Sequence, residues 1–521
     1  MQDFAAVVPP LIAIICAFTT RRVILSLLLA TFSGALLLNN FHPVESLISL
    51  FGEGIFKQLT GSNSQTLIVI TIIAGFVFLL DSSNAMLAFS SWIRNKVKSA
   101  KGLQLTTFCS GIAIFFTDSG NSLILGPVFR PLYDKFKICR QKLAYIIDST
   151  SSPVCSLIPI ISWGVTIQAS IVEGFNNAEL SCQQLAAHGM TLSNSEGCEI
   201  DSLGAYFQVL PYQLYSILTL IGVVLVIVLS SNIGKMRKTQ QLCSNDTIDY
   251  GDFAINAVEL SPQTQRHGAA LVIKSLGTLF LSLAFFFGYF VMTKGKLGGP
   301  DIRIALAISY TFAILVTIGL MARYQISDVN SSVKQFFAGM GRILPILTML
   351  ILAWTLGTQM KALETKIVLA NLLSGQFAVY LVASIIFLLG AVLSFATGSS
   401  WSTFTLFIPI VVPLALQIDA PVFVCIGAAI SGALLGDHCS PISDTTVLSS
   451  GASGVDHISH VETQLPYALI VGGVTFTGFI LASSGMSAWW VLTCSVILLA
   501  LILGGLHQFY KVKNASDIVV T

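Results

Sequence analysis

Four carboxylates stand among strings of hydroxyl-bearing residues in an otherwise apolar chain: Asp118, Asp148, Asp437 and Asp444. Asp118 lies in Phe116-Thr117-Asp118-Ser119-Gly120-Asn121-Ser122, followed by Pro127 and Pro131. Asp148 opens Asp148-Ser149-Thr150-Ser151-Ser152-Pro153. Asp437 and Asp444 both belong to Gly436-Asp437-His438-Cys439-Ser440-Pro441-Ile442-Ser443-Asp444-Thr445-Thr446. A fourth string, Ala396-Thr397-Gly398-Ser399-Ser400-Trp401-Ser402-Thr403, has no acid and is followed by Pro409 and Pro413. A carboxylate at membrane depth is costly, so each is a functional candidate by default. In a dry cavity a carboxyl group favours its neutral form, which lets it trade a proton for a cation near neutrality. Carbonyls freed where Pro153 and Pro441 break a helix, together with Ser and Thr hydroxyls, are hard oxygen ligands for Na⁺ or Li⁺. The N-termini of the half-helices beyond each break suit an anion or carboxylate.

The candidate ion- and proton-binding residues are therefore Asp118, Asp148, Asp437 and Asp444. Asp437 and Asp444 are favoured as the exchangeable pair, because they straddle one break. Thr117, Ser119, Asn121, Ser151, Ser152, Thr397, Ser399, Ser402, Ser440 and Thr445 are the candidates for coordinating Na⁺ or a substrate. Bland readings stand beside these: Asp118 as a helix cap, Asp148 as a structural acid. Trp163 and Trp401 either line a substrate path or only pack. Asp456-His457-Ile458-Ser459-His460-Val461-Glu462 has metal-like spacing, but also reads as the polar entrance to a span or as a pH sensor.

The elements that must hold these residues are membrane spans. Of 521 residues, 54% are hydrophobic and 10% charged, against about 25% charged in soluble domains. Such a chain needs lipid as its solvent. Apolar runs occur at 5–20, 22–38, 64–80, 103–117, 143–170, 206–230, 268–293, 301–321, 343–360, 378–397, 421–436, 462–483 and 487–507, with shorter ones at 121–130 and 402–416. Most approach the roughly 20 residues that cross the hydrocarbon core. They lack the alternation of barrel strands, so they are expected to be helices. The first run has no basic segment before it and reads as a span, not a signal peptide.

Tracing the chain with its N-terminus outside gathers most of the 27 Lys and Arg on one side. That side includes Arg94, Lys96, Lys98 and Lys101, then Arg130, Lys135, Lys137, Arg140 and Lys142, then Lys235, Arg237 and Lys238. By the positive-inside rule it is cytoplasmic, and the tail falls there too. The loop 171–205 falls outside. It has no Lys or Arg, carries Glu173, Glu179, Glu196, Glu199 and Asp201, and holds Cys182 and Cys198, a plausible disulfide in an oxidising space.

The polar strings recur in one order: apolar span, polar tip, two prolines four apart, then a serine–proline break. An amphipathic stretch precedes each, at 84–99 and at 361–377. The chain thus divides into a first repeat, 1–230, with a hairpin at about 117–131 and a broken helix at 143–170. A cytoplasmic linker, 231–267, follows. The second repeat, 268–483, has its hairpin at about 397–416 and its broken helix at 421–446, and 484–521 adds a span and a cytoplasmic tail. Charge puts the first tip on the cytoplasmic side and the second outside. The expected fold is an all-α polytopic membrane protein of two inverted-topology repeats, with re-entrant hairpins and broken transmembrane helices, a transporter signature.

No nucleotide-binding P-loop, zinc-protease motif, dinucleotide fingerprint or basic nucleic-acid-binding domain occurs, and no cofactor is expected. No nucleophile–base pair has convincing spacing, which speaks against an enzyme. A channel would conduct without coupling. Na⁺/H⁺ exchange is the leading expectation, and Na⁺-coupled movement of a small organic acid or amino acid is the alternative.

The string from Gly436 to Thr446 resembles the signature of the NhaC family of Na⁺/H⁺ antiporters, and 116–131 and 145–155 resemble its first-half motifs. The resemblance covers most of the chain. It implies an ion-transporter fold of inverted repeats in the inner membrane, working as a homodimer with a scaffold and a moving transport domain. It also implies Na⁺ and H⁺ as cargo, or in some members organic anions such as malate and lactate. The acidic loop with its two cysteines departs from that pattern.

Overall fold

The computed structural model describes residues 5–94, 99–178, 180–190, 192–194, 199–245, 260–295, 298–365 and 379–519. Among them the chain is helical, apart from one short antiparallel ribbon that pairs Leu192–Asn194 with Glu199–Ile200. Nine of the described helices are long and apolar enough to cross a membrane, or up to 11 if each of two bent pairs is one span.

The first half runs α1 (Val8–Thr20), α2 (Val23–Leu38), α3 (Pro43–Ser49), α4 (Gly61–Ser82), α5 (Ala85–Arg94), α6 (Ala100–Ala113), α7 (Asp118–Lys135), α8 (Arg140–Ser149), α9 (Ser152–Ser156), α10 (Ser162–Asn177), α11 (Cys182–Ala187), α12 (Ser202–Val209) and α13 (Leu214–Leu229). The linker contributes α14 (Gly234–Ser244). The second half runs α15 (Pro262–Lys294), α16 (Gly299–Arg323), α17 (Val329–Arg342), α18 (Leu344–Ala362), α19 (Val379–Thr397), α20 (Ser400–Gln417), α21 (Val422–Cys439), α22 (Asp444–Ser453) and α23 (His457–Ser483), before a final α24 (Ala488–Val519).

The tips and breaks follow from local chemistry. Thr117 caps α7 by accepting from the Gly120 N–H (3.1 Å), and Ser399 caps α20 by accepting from Ser402 (3.4 Å). Ser440 precedes Pro441 and is extended (φ −81°, ψ 127°), as the proline ring requires of its predecessor. The helix there stops at Cys439 and restarts at Asp444. The first break interrupts the run 143–170 twice, after Ser149 and again between Ser156 and Ser162.

The crossings that carry these breaks form the centre. The apolar window of α21 is 94% buried, against 28% for that of α15, whose remaining surface suits lipid. The halves interlock reciprocally. Arm α7 of the first hairpin packs on α22, beyond the second break, while arm α20 of the second packs on α10, beyond the first. The basic segments meet at one end. Lys101 donates to the Val228 carbonyl, Lys142 to Asn232, Lys235 pairs with Glu462, and Arg237 lies over the Tyr510 ring.

Some expectations are corrected. Glu173 is no loop residue: α10 runs on to Asn177 and buries its side chain. Residues 43–56, not anticipated as a span, form α3 and a π-helical extension (Leu50–Phe56), bent 114° from α2. Glu45, Gly52, Glu53 and Gly54 hide this apolar segment in the sequence. Cys182 is disulfide-bonded, and its expected partner, Cys198, lies outside the described residues. So do Glu179, Glu196, most of the amphipathic stretch 361–377, and the middle of the linker.

Gly398 turns the second tip with φ +64°, and a Cβ there would lie 2.6 Å from the Ile442 carbonyl oxygen. Gly398→Ala is therefore expected to destabilise by about 1–3 kcal/mol through backbone strain and crowding. A lowered melting temperature of the purified protein would show it, and an unchanged one would contradict this account of the tip.

Candidate functional site

Each break is tied to its own hairpin tip by one serine. At the first, the Ser151 hydroxyl donates to the Asp118 carbonyl (2.7 Å). At the second, the Ser440 hydroxyl donates to the Phe395 carbonyl (2.8 Å). Asn121 reinforces the first junction, its amide donating to Gly111 (3.1 Å) and to Thr150 (2.8 Å). These bonds answer the demand that backbone groups freed in hydrocarbon find partners inside the protein.

The four carboxylates divide by exposure. Asp437 and Asp148 are each 2% exposed, whereas Asp118 is half-buried and Asp444 exposed. Asp437 accepts from the Ser400 hydroxyl on Oδ2 (2.9 Å), which joins the end of α21 to the start of α20. Its Oδ1 is buried and has no hydrogen-bond partner among the described residues. Asp444 accepts from the Thr445 N–H (2.9 Å) and lies within electrostatic reach of Asp118 and Asp148. Asp118 uses Oδ1 for the Ser119 N–H (2.6 Å) and hydroxyl (3.2 Å). Its Oδ2 receives two indole N–H groups, from Trp163 (3.3 Å) and Trp401 (3.4 Å).

Asp148 sits in a polar knot of both halves. Its Oδ2 accepts from Gln464 (2.6 Å) and Thr446 (3.1 Å), with His460 Nε2 at 3.6 Å and His438 Nε2 at 3.9 Å. Its Oδ1 is buried and unpartnered among the described residues. His438 in turn contacts the Tyr215 hydroxyl (2.8 Å) and the Ser149 hydroxyl (3.2 Å), and Gln464 also donates to the His438 carbonyl (2.7 Å). A buried anion needs such donors. Helices α8, α21, α22 and α23 therefore meet at this carboxylate, and α13 joins them through Tyr215 and His438.

The hydroxyl candidates separate as well. Ser152 Oγ is buried and unpartnered among the described residues, as is the Asn121 Oδ1 atom. Ser402 donates to the Ser399 carbonyl, and the Thr445 hydroxyl meets that of Ser443. Thr397 turns back on its own helix, donating to Leu393 and Ser394, so its hydroxyl is not directed into the junction. The metal-like run disperses: Asp456 caps α23, His457 meets Pro441 and Ser450, His460 faces Asp148, and Glu462 pairs with Lys235. No group of three or more His, Cys, Asp or Glu among the described residues could hold a metal ion.

Sequence reasoning missed Ser400, Tyr215, His438 and Gln464 as site residues, and read His460 only as part of a metal-like or pH-sensing run. His438 and Ser400 stand inside the polar strings and were legible by position. Gln464, a lone amide in an apolar span, is a weaker signal, and nothing in the sequence marks Tyr215.

Apolar spans around two interlocked, proline-broken crossings, with buried acids where they meet, define a secondary transporter. The chain belongs to the Na⁺/H⁺ antiporter family, whose profile matches residues 186–484. It is 29% identical over 514 residues to an uncharacterised protein of Haemophilus influenzae, covering 95% of this chain and 94% of that one. The malate-2H⁺/Na⁺-lactate antiporter of Bacillus subtilis is 28% identical over 183 residues, which is 34% of this chain and 38% of its own length. In fold the chain is similar to Neisseria gonorrhoeae MtrF, which illuminates a class of antimetabolite efflux pumps (TM-score 0.54, 13% identity, 85% of each chain covered).

Gln464→Leu would take from buried Asp148 its nearest donor. The expected cost is about 1–3 kcal/mol, the desolvation of an unmet charged acceptor. Thermal unfolding in detergent measures it, and wild-type stability in that variant would remove Gln464 from the support of the site.

Proposed function

We propose that the protein exchanges Na⁺ for protons across the inner membrane, with Asp437 as the carboxylate that carries either ion. The observation that supports this most is the state of its two oxygens. Oδ2 is fixed by Ser400, while Oδ1 is buried with no partner among the described residues. A buried carboxylate oxygen left open can take a proton or a hard cation, and either removes the cost of an uncompensated charge. Asp118 and Asp444, the more exposed pair, would meet an arriving cation first. Asp148 would be the fixed partner, and Asn121 and Ser152 would supply further open oxygens. Residues 103–170 and 378–446 would move as a unit past the remaining spans, with the basic end towards the cytoplasm.

A second reading, exchange of a small organic acid or amino acid with Na⁺, is supported by the similarity to the malate–lactate antiporter. Proteoliposomes free of organic solute decide between them: Na⁺-driven proton movement there is expected under the first reading and not under the second. Asp437→Asn should reduce exchange to background while expression and monodispersity stay as in wild type. Full exchange in that variant would exclude Asp437 as the carrier.

A further inference from the structure

Trp163 and Trp401 come from different halves of the chain and converge on one atom. Trp163 stands near the start of α10, beyond the first break, and Trp401 at the start of α20, beyond the second tip. Their ring centroids are 4.7 Å apart, and Phe404 packs at 5.6 and 5.8 Å from them. Packing alone does not require that both indole N–H groups reach the same oxygen, Asp118 Oδ2, at 3.3 and 3.4 Å. Asp118 thereby joins α7 to both α10 and α20. Its Oδ1 is already engaged by the Ser119 N–H and hydroxyl. A carboxylate oxygen has two lone pairs, so the two indoles fill the acceptor sites of Oδ2. A cation seeks the same lone pairs and repels the positive end of an N–H dipole. The bonds it would displace are at the long end of the usual range, and so are weak individually.

We infer that Trp163 and Trp401 are positioning residues that hold Asp118 while no cation is bound, and that a cation reaching Asp118 displaces at least one indole and unlatches α7 from α10 and α20. This rests on the Na⁺ reading above. It assigns to the two tryptophans a role in coupling occupancy to a rearrangement inside the unit 103–170 and 378–446, ahead of that unit's passage along the remaining spans. Ion binding would then be felt by both halves at one contact.

The experiment combines transport with indole spectroscopy. In proteoliposomes, Trp163→Phe and Trp401→Phe keep ring packing but lose a competitor for Oδ2. Each should lower the Na⁺ concentration at half-maximal exchange by about threefold to tenfold, the range of one ordinary hydrogen bond, as befits bonds this long. A purely packing role would instead reduce the maximal rate and leave that concentration alone. In purified wild type, NaCl but not choline chloride should shift the tryptophan emission, and the shift should shrink in either variant. Should the variants not fold, ¹⁵N-indole spectra of wild type with and without Na⁺ decide, since displacement moves at least one of the two N–H resonances and its absence moves neither. A wild type that exchanges Na⁺ for H⁺ with unmoved indoles, or variants with wild-type half-saturation, overturns the latch. A wild type with no Na⁺-driven proton movement removes the proposed function, and the latch falls with it.

Discussion

A peptide group exposed to hydrocarbon costs several kcal/mol unless something inside the protein bonds to it. Everything at the centre of this molecule answers that demand. The helix bearing Asp148 ends at Ser149, with Pro153 in the first turn of the next helix, and the helix bearing Asp437 ends at Cys439, just ahead of Pro441. In both halves the reply is a serine hydroxyl that reaches across to the backbone of the neighbouring hairpin: Ser151 to Asp118, Ser440 to Phe395. Break and tip become one unit, and where two such units meet, Asp437 Oδ1, Asp148 Oδ1, Ser152 Oγ and Asn121 Oδ1 are among the buried oxygens without a partner among the described residues.

Such closeness is possible only where side chains are absent or small. A Cβ on Gly436 would run into the Ala391 carbonyl and the Phe395 backbone, and one on Gly111 into the Thr150 side chain. At Gly436 the crossings press backbone to backbone. The result is a buried centre, wrapped by α15 and its neighbours, whose exposed apolar faces suit lipid.

Much of this frame is legible in the sequence because its causes are local. Polar strings in apolar surroundings, prolines at repeated spacing and serine caps each act within a few residues, so tips and breaks can be read directly. Asp437 and Asp444 were visible for the same reason. The surroundings of Asp148 were not. Its donors Thr446 and Gln464, and the imidazoles of His438 and His460, lie about 300 residues away along the chain and arrive only through packing between halves. The helix ending near Phe56 escaped notice because acids and glycines dilute its apolar signal. Glu173 looked like a loop acid because the end of α10 has no stop signal strong enough to place it before Asn177.

The paired caps and prolines place Asp118 in the first half opposite Ser400 in the second. The two hairpins share a scaffold but not a charge. A machine built from identical halves facing opposite ways would have degenerate end states, related to each other by a two-fold rotation. Here one half brings an acid clasped by indoles and the other a neutral hydroxyl bound to Asp437. Under the proposed exchange, that inequality would lift the degeneracy and give the unloaded carrier a preferred side on which to wait.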